Sequence, residues 1–92
     1  MNNSMSVLKI VIKGVFFDAI AAKTKVFECR EDKSFWRARL YDEKGKKRVY
    51  DRIDFINGYK KDARRMIAKF EGFSLKADLF HIKVGKIIRK PH

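Results

Sequence analysis

The sequence has few of the residues that form disulfide bonds in small secreted domains or bind metal ions. Its 92 residues include one cysteine, one proline and two histidines. A single cysteine, Cys29, forms no internal disulfide, and no Cys/His spacing typical of a zinc site occurs. We therefore expect a protein of a reducing compartment, the cytoplasm, that uses no metal and no cofactor.

Long apolar segments are also missing. Apolar runs such as residues 14–17 fall far short of the roughly 18 to 20 apolar residues that span a bilayer. The first six residues are polar and uncharged, which does not match the basic and apolar segments of a secretion signal. We expect neither a secreted nor a membrane-spanning protein. We expect instead a disordered N-terminal tail at residues 1–6 and one domain at residues 7–92.

Acidic residues are scarce relative to basic ones. The chain has 23 Lys and Arg against 11 Asp and Glu, a formal net charge of +12. Residues 60–92 are the most basic part, with ten basic and three acidic residues. Hydrophobic residues make up 46% of the chain, enough for a packed core. So much positive charge on a small core indicates a polyanionic partner, with nucleic acid first and an acidic membrane surface second.

Hydrophobic periodicity predicts five strands and one clear helix. Alternation of apolar and polar residues, rich in β-branched types, predicts strands at residues 7–13, 26–31, 52–56, 64–70 and 80–89. Phe16 and Ile20, four residues apart, predict an amphipathic helix over residues 15–22. Residues 34–41 are ambiguous, because Trp36 and Leu40 also suit one or two helical turns.

A change of phase at Gly85 interrupts the alternation of the last strand. A glycine at such a point is typical of a β-bulge or a barrel corner. We therefore predict a small α+β domain built on a strongly bent sheet or half-open β-barrel of about five strands. One helix follows the first strand, and a second helix is short. A parallel α/β fold is less favoured, because too few helices exist to cover two faces of a sheet.

The segment at residues 25–30, Lys-Val-Phe-Glu-Cys-Arg, is the most specific candidate site. In a strand, Glu28 and Arg30 share one side, about 6 to 7 Å apart, and Cys29 faces the other side. An arginine and a carboxylate on one face, with Lys25 nearby, can hydrogen-bond the donor and acceptor edges of a base. The alternative is an ion pair that orients the strand and contacts no ligand.

These residues carry a resemblance to a known family. The order of strand, helix opening Gly-Val-Phe-Phe-Asp-Ala-Ile, and then Lys25, Glu28 and Arg30 resembles the ASCH domain, a relative of the PUA RNA-binding domains. The signature of that family is Gly-x-Lys-x-x-Glu-x-Arg, and its glycine position is Lys23 here. The segment at residues 50–59 also resembles small ASCH-like proteins of bacteria and phages.

The resemblance implies a PUA-like β-barrel with a cleft beside the motif that takes a nucleotide or single-stranded RNA. One branch of the family hydrolyses N4-acetylcytidine with a Lys, a Thr and a Glu. Lys25 matches that lysine, but Glu28 stands at the threonine position. The acetylcytidine activity is therefore not carried over to this chain.

A second candidate site is the segment Asn57-Gly58-Tyr59-Lys60-Lys61. Asn-Gly is a strong hairpin signal, so one interpretation is only a turn or loop between two strands. In the other, Tyr59 stacks on a base and Lys60 contacts a phosphate. We predict a phosphate-binding rim made of Lys61, Arg64, Arg65, Lys86 and Arg89.

The remaining aromatic residues and the cysteine are predicted to be structural. We assign to the core Trp36 and the phenylalanines Phe16, Phe17, Phe55, Phe70, Phe73 and Phe80. Cys29 is predicted to be a small buried hydrophobe rather than a nucleophile. His81 alternates away from its apolar neighbours and is predicted at the surface or a sheet edge.

Together these features predict a non-enzymatic module that binds RNA or a nucleotide. The expected cleft residues are Lys25, Glu28, Arg30, Asn57, Tyr59 and Lys60. The alternative is a small hydrolase, an amidohydrolase or nuclease acting on a modified nucleoside or RNA, with Lys25 and Glu28 as the reactive pair. A third hypothesis is a phage-type protein that binds an acidic surface of a host protein. The oligomeric state and the RNA bound stay open.

Overall fold

A computed structural model describes residues 6–90 of the chain. Its elements, in chain order, are β1 (Val7–Ile12), α1 (Gly14–Ala21), β2 (Phe27–Glu31), α2 (Ser34–Leu40), β3 (Arg52–Asn57), β4 (Arg65–Lys76) and β5 (Leu79–Arg89). The predicted small α+β fold of five strands and two helices is confirmed. Within the described range, no helix has the length and apolar character needed to cross a membrane.

The predicted tail at residues 1–6 lies outside the described residues except for Ser6. The backbone N–H of Ser6 donates to the Asp51 carboxylate at 2.9 Å. The carbonyl of Ser6 accepts from the backbone N–H of Asp51 at 2.9 Å. Ser6 is therefore held next to the start of β3.

The five strands form one sheet that curls into a half-barrel. Their spatial order is β1-β3-β4-β5-β2. β1 pairs with β3 in parallel, and the other neighbouring strands pair antiparallel. The first two strands in the sequence are therefore the two edges of the sheet.

Three register shifts interrupt the long β4–β5 pair. Between Phe70 and Phe73, β4 has two residues where β5 has one. Around Gly85, and again between Ile87 and Arg89, the extra residue lies on β5. The bulge predicted from the phase change at Gly85 is thus confirmed. A Cβ atom at Gly85 would lie 2.6 Å from Cγ of Glu71, so glycine leaves room where the bulges meet. Bulges increase the local twist of a strand pair, which accounts for the strong curl of the sheet.

The core lies on the inner face of the curled sheet, under α1. Its buried side chains from the sheet are Leu8, Ile10, Ile12, Ile53, Phe55, Met66, Ala68, Phe70, Phe73, Phe80, Ile82 and Val84. α1 adds Phe17 and Ile20, and α2 adds Leu40. Trp36 is half-buried and packs against this cluster.

Two core predictions are wrong. Phe16 is 46% exposed, because the buried stripe of α1 runs through Phe17 and Ile20 and turns Phe16 to the side. Cys29 is exposed, because the inward positions of β2 belong to Glu28 and Arg30. The other five phenylalanines predicted as core are buried.

Candidate functional site

The two edge strands of the half-barrel face each other across a seam that a side chain bridges. Arg30, on β2, donates from Nη2 to the backbone carbonyl of Val11, on β1, at 3.1 Å. β1 and β2 are not paired as strands, so this bond replaces a backbone ladder with one guanidinium contact. At the seam the half-barrel is therefore bridged by a side chain and not by strand pairing.

The carboxylate of Glu28 is the centre of a charged cluster at this seam. Glu28 is only 5% exposed, although it is ionisable. Its Oε2 accepts from Nε of Arg30 at 2.9 Å and also from Nη2 of the same guanidinium. Its Oε1 lies 3.4 Å from Nζ of Lys25. A buried carboxylate needs such partners, because burial without them is strongly unfavourable.

Aromatic rings lie against both cations of the cluster. The Cζ atom of Arg30 lies 5.1 Å from the centroid of the Trp36 ring, and Nζ of Lys25 lies 5.4 Å from that of Phe16. Both distances fall within the range of a cation–π contact. The two cations are thus held in place by rings as well as by the Glu28 carboxylate.

A cleft of about 520 Å³ opens beside the cluster. This volume lies in the range of small-molecule sites, roughly 300 to 1,000 Å³. Tyr59, which is 91% exposed, and the half-exposed Phe16 both line it. The full lining consists of Val11, Ile12, Lys13, Phe16, Glu28, Cys29, Arg30, Glu31, Gly58, Tyr59 and Leu79. We call this space the seam cleft.

The structure brings part of the predicted site together. Glu28, Arg30 and Tyr59 line the seam cleft, and Lys25 joins them through its ion pair with Glu28. Asn57 ends β3, and its side chain lies against Gly14 at the start of α1. The next predicted residue, Lys60, is exposed in the loop between β3 and β4.

The residues of the predicted phosphate rim are spread over several elements. Arg64 lies beside α1, with its Nη1 3.5 Å from the Asp18 carboxylate. Arg65 faces the outer side of the sheet and donates to Asp54 at 2.9 Å. The other members lie on further elements, and Arg89 pairs with Ile67 of β4, two residues from Arg65. Lys61 lies in the β3–β4 loop, Lys86 lines a second pocket, and Arg89 ends β5.

Sequence reasoning missed several of the residues that line the seam cleft. Lys13, directly after β1, lines it, as do Val11 and Phe16. Lys13 was predicted as the last residue of the first strand, two residues before a predicted helix, which is a signal for a site at a strand end. Val11 and Phe16 had no such signal, because their roles depend on which strands form the edges.

A further ion pair supports the chain just after β2. The Arg37 guanidinium donates to the Asp32 carboxylate through Nε and through Nη2, the latter at 2.9 Å. These hydrogen bonds hold the pKa of Asp32 below its ordinary value of 3.8 and raise the pKa of Arg37. The pair fixes the turn from β2 into α2, two residues beyond Arg30.

Within residues 6–90, no group of three or more His, Cys, Asp or Glu side chains is arranged to hold a metal ion. Comparisons of the chain with protein-family models, with curated proteins and with solved structures give no match.

Proposed function

We propose that the protein is a small module that binds single-stranded RNA, or a nucleotide of it, with one base in the seam cleft. The observation that carries this proposal is the make-up of the cleft. An arginine, a lysine and two exposed aromatic rings line one cavity of nucleotide size on a chain of net charge +12, and the buried Glu28 carboxylate orients the arginine. These are the groups that unstacked bases and phosphates require.

Each class of lining group has a role in the proposed complex. Tyr59 and Phe16 offer faces for base stacking, which contributes roughly 1 to 3 kcal/mol per base. Arg30 uses Nε and Nη2 within the protein, and its Nη1 has no hydrogen-bond partner among residues 6–90. This group is available to donate to a base oxygen or ring nitrogen. Lys13 supplies a cation for the attached phosphate.

We further propose that the half-barrel is of the PUA-like kind and that the chain is an ASCH domain. The helix after the first strand and the cluster that Lys25, Glu28 and Arg30 form at the seam support this assignment. Lys23, at the glycine position of the family signature, has a φ of 64°. Glycine adopts such a left-handed conformation most readily, so the backbone at this position suits the family pattern.

The geometry supports binding better than hydrolysis. In the hydrolase hypothesis, Lys25 and Glu28 form the reactive pair. Both oxygens of Glu28 are engaged by Arg30 and Lys25, and the side chain is almost fully buried. A general base must reach the proton that it abstracts within hydrogen-bond distance, and this arrangement presents no free carboxylate oxygen to a substrate.

Fluorescence anisotropy on short single-stranded RNA, matched DNA and duplex RNA tests the proposal. Tyr59→Ala should weaken RNA binding about 10-fold or more, because it removes a stacking face. Phe35→Ala is the matched control, since Phe35 is an exposed aromatic that does not line the seam cleft. It should leave the affinity within about 2-fold of the wild type, an effect below roughly 0.5 kcal/mol.

A charge-matched pair of variants separates the cleft from the general basic surface. Lys13→Ala and Lys9→Ala remove the same charge, but only Lys13 lines the cleft. Titrations at several salt concentrations should show the salt slope reduced by about 0.7 for Lys13→Ala and unchanged for Lys9→Ala. Equal binding of all three nucleic acids, with no effect of Tyr59→Ala, would overturn the proposal. So would tight binding of an acidic protein with no affinity for RNA.

A further inference from the structure

A second pocket lies on the other side of Lys25, between the end of α1 and β5. Its volume is about 450 Å³. Its apolar surface comes from Ile20, Val26, Val84, Gly85 and Ile87, and its polar surface comes from Lys23, Lys25 and Lys86. We call it the lysine pocket.

The chemistry of the lysine pocket selects an anion with an apolar body. Three of its lining residues are lysines, and none is acidic. Ile20 and Val84 are buried beneath it, whereas Val26 stays half-exposed and offers a contact surface. A nucleotide combines a flat base for such a surface with a phosphate for the lysines.

The lysine pocket and the seam cleft share one structural element. Lys25 lines the lysine pocket, and its Nζ lies 3.4 Å from the Glu28 carboxylate, which lines the seam cleft. The same Nζ lies 5.4 Å from the ring of Phe16, another residue of the cleft. The two cavities therefore lie on either side of the Lys25–Glu28 pair.

We infer that the lysine pocket holds the nucleotide next to the one in the seam cleft. Single-stranded RNA then passes over Lys25, with one base in each cavity. The phosphate that connects the two nucleotides lies near the Lys25 ammonium group. This inference rests on the proposed function and adds a minimum ligand, a dinucleotide. Lys23 and Lys86 become contacts to the second nucleotide rather than parts of a general basic surface.

A length series tests the inference. The probes are uridine 5′-monophosphate, a dinucleotide and a tetranucleotide of uridine, titrated while backbone amide NMR signals are followed. In the wild type, the dinucleotide should bind about 10-fold more tightly than the monophosphate. It should also shift the signals of Gly85 and Ile87 in addition to those of Gly58 and Tyr59.

Lys86→Ala should abolish the 10-fold gain in affinity of the dinucleotide over the monophosphate. It should leave the affinity for the monophosphate within about 2-fold of the wild type. Lys83→Ala is the matched control, because Lys83 is an exposed lysine of the same strand that does not line the pocket. It should keep the gain. Lys23→Asn, which tolerates the left-handed backbone, gives an independent loss of charge in the pocket and should also reduce the gain.

The outcomes distinguish the two proposals. Shifts at Gly58 and Tyr59 alone, with no gain from the dinucleotide, would overturn the lysine pocket and leave the proposed function intact. Equal losses for Lys86→Ala and Lys83→Ala would also overturn it, because the effect would then be general charge. Absence of shifts at both cavities with every probe would overturn both proposals. If the Gly85 signal shifts with vesicles containing phosphatidylserine but with none of the nucleotides, the pocket binds a lipid headgroup. That result would overturn the inference.

Discussion

Replacing Glu28 by glutamine is the sharpest test of what holds the half-barrel together. Glu28→Gln keeps the size of the side chain but removes the charge that Arg30 and Lys25 both contact. The guanidinium and the ammonium would then lie beside a neutral amide. The bond from Arg30 to Val11 across the seam would lose the carboxylate that orients it.

The expected loss follows from the burial of the three partners. Removing one member of a buried ion pair costs about 3 to 5 kcal/mol. Arg30 and Lys25 keep 24% and 25% of their side-chain surface in water, so part of their charge is solvated. We therefore expect a loss of about 2 to 3 kcal/mol out of a total of about 5 to 15 for a small domain. In a domain of this size, that corresponds to a decrease in Tm of about 10 to 20 °C.

Urea unfolding followed by tryptophan fluorescence measures this loss. Trp36 is the single tryptophan, and its ring lies under Arg30, so the probe reports on the seam. Glu31→Gln is the matched control on the same strand, because Glu31 is 72% exposed and, among residues 6–90, forms an ion pair only with the exposed Lys33. It should change the free energy of unfolding by less than about 0.5 kcal/mol. Equal effects of the two substitutions would refute the structural role of the Glu28 cluster.

Two further predictions concern residues outside the cleft cluster. In an NMR titration, Asp32 should titrate below 3.8, because Arg37 lowers its pKa, and Arg37→Gln should raise the midpoint towards 3.8. Since the folded pKa is the lower one, the stabilisation from this pair is complete above the unfolded pKa and is lost as the pH falls through the folded pKa. An unchanged midpoint in Arg37→Gln would contradict the assignment. Cys29 should react with a thiol reagent such as DTNB in the native state, one thiol per chain, because its side chain is exposed. Reaction only after addition of urea would contradict that exposure.

Local patterns predicted most of the secondary structure. Strict alternation revealed β1 and β3, and the phase change at Gly85 revealed a bulge. β4 was predicted to end at Phe70, yet it continues to Lys76. The bulge at residues 71 and 72 shifts the phase of the alternation, so the second half of the strand did not match the first.

The site was less predictable because it depends on contacts distant in sequence. The alternation of side chains along a strand correctly predicted that Glu28 and Arg30 share one side of β2. It did not indicate that this side faces inward. That outcome also exposed Cys29, against the expectation that a small apolar residue is buried. The bond from Arg30 to Val11 requires β1 and β2 to be the two edges of the sheet, and no local pattern encodes strand order.

The strand order also has a consequence for synthesis on the ribosome. β1 and β2 emerge first, but each pairs with a strand made later, β3 and β5 respectively. The nascent chain can close the β3–β4–β5 meander from neighbouring segments, whereas β2 must wait until residues 79–83 have left the exit tunnel. The charged residues of β2, Glu28 and Arg30, keep that waiting segment hydrated. The residues that line the seam cleft in the folded protein therefore also protect an early strand from pairing with other chains.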